Sequence, residues 1–172
     1  MFGYGVMSFV MTATPLAMNQ SAFLFNDTAL VIQWHVLAMF APSFISGNLI
    51  TRFGLIKVMV TGVIFGLICI GINLLGTSLW HFLTALICLG ISWNFLFVGA
   101  TTMVTDTYRP NEKNKAQAFN DFAVFSTVTV ASLSAGALQN TFGWQMVNIG
   151  ALPLLFIILF ALIWLSYNSQ QI

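Results

Sequence analysis

Trp93 and Asn94, neighbours near the middle of a long apolar stretch, hold the most chemistry in this sequence. The Asn94 amide offers two donors and an acceptor, and the Trp93 indole offers a flat stacking face. Together they suit a polar or aromatic solute. Gln33 and His35 interrupt another apolar stretch, and Thr12 interrupts the first. His35 has a reference pKa near physiological pH and can relay a proton. As a lone histidine near a boundary, it reads more readily as a structural hydrogen-bonding residue. An interhelical hydrogen bond is likewise the plain alternative for Asn94. Asp121 is the deepest acid, and it lies only one turn inside an apolar stretch. The chain therefore shows no clear site for coupling to protons. It has no metal-ligand spacing, no nucleophile with a nearby base and no phosphate-binding glycine loop. Neither an enzyme nor a cofactor is expected. Cys69 and Cys88 read as small core residues.

The elements that must position these residues follow from composition. Of 172 residues, 59% are hydrophobic and 5% charged, and the mean hydropathy is +0.93. Such a chain cannot furnish the charged surface of a soluble domain. A spanning helix needs about 20 mostly apolar residues, and six stretches qualify: 2–18, 29–50, 58–76, 79–104, 117–138 and 144–167. Runs such as 152–165 are too uniformly apolar for the alternating pattern of a barrel strand, so an all-α bundle of six transmembrane helices is expected. The start has no basic region and reads as a span rather than a signal peptide. Pro15, Pro42 and Pro153 lie inside spans and should loosen or kink them. Thr127, Ala131, Ser134 and Ala135 form a small-residue face suited to close helix packing. Connections are short, and a soluble domain has no room.

All five basic residues fall in two polar breaks. Arg52 and Lys57 flank one, and Arg109, Lys113 and Lys115 crowd the other. Six spans place both breaks and both termini on one side. The opposite loops carry only Asp27. The positive-inside rule assigns the basic side to the cytoplasm. These loops are too short to imply a nucleic-acid partner. The partner they imply is the lipid bilayer.

The first break reads Gly47-Asn48-Leu49-Ile50-Thr51-Arg52-Phe53-Gly54-Leu55-Ile56-Lys57, and the second holds Tyr108, Pro110, Glu112, Gln117, Asn120 and Asp121. At these residues the chain resembles the major facilitator superfamily of transporters, whose members have two six-span halves. Each half carries a cytoplasmic loop of the form G-x-L-x-D-R-x-G-x-x-K/R. Gly47, Leu49, Arg52, Gly54 and Lys57 match it, and Thr51 departs from the preferred Asp. The second break is similar to the loop that opens the eleventh helix of bacterial members. The resemblance thus covers the whole chain and corresponds to helices seven to twelve.

The resemblance implies secondary transport of a small solute across a bacterial cytoplasmic membrane by alternating access. It implies a cytoplasmic gate at Gly47, Arg52, Gly54 and Lys57, with Asp121 or Glu112 as the partner of Arg52. The alternative is that Arg52 and Lys57 only anchor the topology. It also implies a midplane binding site between the halves, for which Thr12, Gln33, His35, Trp93 and Asn94 are the candidates. Some members with this kind of second half move vitamins such as riboflavin, and others export drugs. A non-transporting membrane scaffold that binds a partner through the fifth span is the other reading. The first stretch begins without a polar lead-in, which suggests an element that was once longer. A second half whose first half is encoded separately, a half-size carrier that dimerises and an inactive remnant all fit. The first and third are favoured, because second halves are adapted to a different partner surface.

Overall fold

The computed structural model describes residues 1–105 and 112–168. Arg109, with Tyr108 and Pro110, lies outside the described residues. Among those described, every element is a helix: α1 Phe2–Gln20, α2 Phe25–Phe40, α3 Ser43–Phe53, α4 Leu55–Leu75, α5 Leu79–Thr105 and α6 Lys113–Asn168.

The expected second span, 29–50, is two helices. Pro42 brings no N–H to the helical ladder, and α2 and α3 meet there at a bend of 42°. α2 also starts earlier than expected, because the Asp27 carboxylate accepts the Leu24 N–H at 3.3 Å. An acid in the first turn favours the positive helix end. The fifth and sixth spans are one broken element. Gly143 has φ 78° and ψ −178°, a conformation essentially reserved for glycine. There the chain turns back: a side chain at Gly150 would touch Leu138 at 3.5 Å, and residues 117–125 face 157–165 across one crevice. We call 113–142 the first arm of α6 and 144–168 the second.

α4, α5 and α6 are each long and apolar enough to cross a membrane, and α2 with α3 qualifies when taken together. α1 has the length, at 19 residues, but not the hydropathy. It lies instead among other helices, chiefly α6, with Gly5–Val10 continuously buried.

α5 is the central helix. Phe82, Leu86, Leu89 and Trp93 bury their side chains in the core, and α5 packs on α4, α2, α1 and α3. Gly90 allows α2 to come close. A Cβ there would lie 2.7 Å from the His35 carbonyl oxygen and 2.9 Å from the Met39 nitrogen. Buried amides tie the remaining helices. Asn73 Nδ2 of α4 donates to Asn148 Oδ1 of the second arm at 2.8 Å, and Asn148 Nδ2 donates to the Trp144 carbonyl at 2.9 Å.

The bundle has two distinct ends. At one, Met1, Thr105, Gln117, Asp121 and Leu165 surround a common crevice, and Lys57 lies beside Tyr167. At the other, Gln139 Nε2 donates to Gln20 Oε1 at 2.8 Å, and the Phe82 ring lies 5.4 Å from Trp144.

Candidate functional site

A crevice of about 760 Å3 opens among α1, α5 and the two arms of α6, with Met59 of α4 on its wall. One wall is aromatic. Trp93 and Phe97, one turn apart on α5, stack with centroids 4.8 Å apart and planes 5° from parallel. Tyr4 of α1 meets Trp93 edge-on at 5.2 Å and Phe97 at 5.8 Å. Phe40 of α2 closes on Trp93 from behind at 6.0 Å. Three helices thus fix the orientation of one indole. Its Nε1 is buried and has no hydrogen-bond partner among the described residues.

The facing wall is a stripe of the first arm. Gln117, Asn120, Asp121, Val124 and Phe125 line the crevice. Their spacing is that of one helical face. The stripe is polar at the open end and apolar deeper in. Asn120 Nδ2 donates to Asp121 Oδ1 at 3.4 Å. The crevice can therefore hold a flat apolar ring against the aromatic wall and a polar head against the amides and carboxylate.

The structure separates the residues expected at the solute site. Trp93 lines the crevice. Asn94 points elsewhere: its Nδ2 donates to the Met39 carbonyl at 2.8 Å and to Ser43 Oγ at 2.6 Å. Those acceptors flank the break at Pro42, so the amide braces the α2–α3 bend against α5. His35 is fully buried in the same seam, with Nδ1 donating to the Leu86 carbonyl at 2.8 Å. Thr12 Oγ1 donates to Ser132 Oγ of the first arm at 3.3 Å. Gln33 is exposed on α2. None of these four lines the crevice. Sequence reasoning missed Tyr4, Phe97 and Phe125. The i, i+4 spacing of Trp93 and Phe97 was the available signal.

A sequence profile of the Major Facilitator Superfamily matches residues 1–171. The chain belongs to this superfamily. It is 49% identical over 160 residues to the riboflavin transporter RfnT of Brucella anthropi, covering 93% of this chain and 40% of that protein. Two proteins of Bacillus subtilis, both described as uncharacterized MFS-type transporters, are also similar. YddS is 24% identical over 96% of this chain and 38% of its own length. YdeG is 28% identical over 78% and 31%. The chain thus spans two fifths or less of the length of these curated relatives. No solved structure matches.

The stretch from Gly47 to Lys57 lies at the end of the bundle where the crevice opens. Gly47 and Arg52 belong to α3, Gly54 breaks the chain with φ 90°, and Lys57 opens α4. All four are exposed. Arg52 does not meet Asp121. It lies over the ring of Phe53, 5.3 Å from the centroid. Among the described residues α3 packs on α2, α4 and α5 and makes no contact with α6. Glu112 and Asp121 are exposed on the α6 side. Among the described residues, no cluster of His, Cys, Asp and Glu fit to hold a metal ion is present.

Proposed function

We propose that this chain is the second six-span half of a secondary transporter, and that it carries a small flat aromatic solute of the flavin class by alternating access. The observation that carries the reading is the 49% identity to a riboflavin transporter over nearly the whole chain. The crevice supports it, since stacked Trp93 and Phe97 with edge-on Tyr4 form a bed suited to a planar ring.

In this proposal α1, the α2–α3 pair, α4, α5 and the two arms of α6 are the six crossings. The membrane is the bacterial cytoplasmic membrane, with both termini on the cytoplasmic side. A second six-helix half completes the carrier. Trp93 is the solute contact, Asn94 and His35 brace the α2–α5 seam behind it, and Thr12 and Gln33 lie toward the outer end. Gly47, Arg52, Gly54 and Lys57 form one side of a cytoplasmic gate, with Glu112 and Asp121 on the other. In the present conformation that gate is unpaired among the described residues, because α3 and α6 stand apart. Closing it would bring Arg52 toward the first arm.

The test is uptake of radiolabelled riboflavin in cells deleted for the locus and then given it back. Saturable uptake that is lost on deletion, restored by the intact locus and again lost with Trp93→Ala supports the reading. Uptake indifferent to the deletion overturns it and leaves the scaffold alternative.

A further inference from the structure

The chain has two cysteines, Cys69 and Cys88, and the hairpin of α4 and α5 sets them opposite each other. Met59, Gly62, Gly66 and Cys69 follow the three- and four-residue spacing of one stripe on α4. Gly99, Phe95, Ser92 and Cys88 do the same on α5. The two stripes meet rung by rung. A Cβ at Gly99 would overlap the Met59 side chain. One at Gly62 would lie 3.1 Å from Phe95 Cβ, and one at Gly66 would lie 3.0 Å from Ser92 Oγ. The next rung is Cys69 with Cys88. Glycine on the earlier rungs lets the two helices approach closely. The two sulfurs stand close enough for a charge on Cys88 to act directly on Cys69. Cys69 is fully buried and Cys88 half-buried. Cys69 Sγ accepts a hydrogen bond from Asn73 Nδ2 at 3.7 Å, which a metal-bound thiolate would keep.

Thiolates select soft cations. Zinc asks for about four ligands, and no group of three or more His, Cys, Asp and Glu fit for a metal stands among the described residues. Two thiols alone suit a cation satisfied by two ligands in line. Burial adds a condition on charge, because an uncompensated charge in an apolar interior is costly. A divalent cation between two thiolates is neutral, whereas a monovalent one leaves a net negative charge. We infer that Cys69 and Cys88 form a binding site for one soft divalent cation of the mercury(II) class, which staples α4 to α5, the helix that carries Trp93. With mercuric chloride each thiol gives up its proton and each sulfur forms one bond to the metal. Two chlorides leave with the two protons, and nothing is oxidised or reduced. The site is separate from the crevice, and it does not depend on the flavin reading.

The test treats membranes containing the chain with limiting mercuric chloride, challenges them with rising β-mercaptoethanol, a monothiol, and reads the intact mass of the extracted chain. The wild type should gain one mercury less two hydrogens, with no chloride. It should hold that mercury to a monothiol concentration about 100-fold or more above the one that strips Cys69→Ala or Cys88→Ala, because the second thiol acts intramolecularly. Cys88→Ala changes only a half-buried position, so it carries the comparison should Cys69→Ala fail to fold. Cys88→Ala combined with Gly71→Cys is the control for proximity. Gly71 is exposed with open space where its Cβ would stand, and residues two apart on a helix do not face each other. This variant keeps two thiols and should be stripped like the single variants. Equal stripping of the wild type and the single variants overturns the site. So do two mercuries per chain that each keep a chloride, or a relocated thiol that holds the metal as firmly as the wild type.

Discussion

At Asn94 an apparent solute contact and a structural brace compete for the same amide. Both donors of Asn94 are used, on the Met39 carbonyl and Ser43 Oγ. Replacing it with leucine would leave the buried Met39 carbonyl without this donor, at a cost of about 1–3 kcal/mol, while the exposed Ser43 hydroxyl can turn to water. Asn94→Leu should therefore lower the unfolding temperature in detergent, while KM for riboflavin in the surviving fraction changes by less than about two-fold. An unchanged unfolding temperature with a KM raised about ten-fold would make the amide a solute contact instead. Residue type alone could not settle this from the sequence, because an amide serves either role and only its partners decide. The same limit hid the aromatic bed. With 17 Phe and 5 Trp in the chain, Tyr4 and Phe97 look like rings that face lipid. Trp93 was noticed because of the amide beside it, although the two side chains prove to serve different places.

At the scale of elements, breaks were more legible than roles. Pro42 announced the bend and Gly54 the loop, each through a backbone restriction that needs no tertiary context. The start of α2 was not legible, because Asp27 looked like loop and acts as a first-turn acid. The turn expected at 140–143 is present as one glycine inside a helix that otherwise continues. That glycine carries the reversal of α6, and with it both walls that the arms give to the crevice. An alanine at φ 78°, ψ −178° would be strained by roughly 1–3 kcal/mol. Gly143→Ala should lower the unfolding temperature and reduce flavin binding through loss of arm alignment. Gly136→Ala is the control. It lies inside the first arm, with nothing within 4 Å of where its Cβ would stand, and it should leave both readouts near wild type. If the two variants behave alike, the reversal does not depend on the backbone of Gly143.

At the scale of the whole molecule, two patterns meet. The hydropathy a helix needs depends on how much of it faces lipid, so α1 can carry Ser8, Thr12 and Thr14 because its neighbours cover it. A window of composition sees such a helix as too polar to span, although burial has already met that demand. Charge follows the other pattern. Arg52 and Lys57 lie at the end where the crevice opens, α6 enters that end from Lys113 and Lys115, and Asp27 lies just after the turn that joins α1 to α2. Thr77, between α4 and α5, belongs to the opposite end, near the Phe82–Trp144 contact. The positive-inside rule then predicts that Thr77 faces away from the cytoplasm. Thr77→Cys should react with a membrane-impermeant maleimide on intact cells. Asn114→Cys should react only after permeabilisation. Both positions are exposed, whereas native Cys69 is buried and Cys88 half-buried, so the background should be low. The reverse labelling would invert the proposed orientation and put the polar mouth of the crevice outside the cell. Labelling of both from outside would mean that the chain between them does not cross once and stay across, and the six-span arrangement would fall with it.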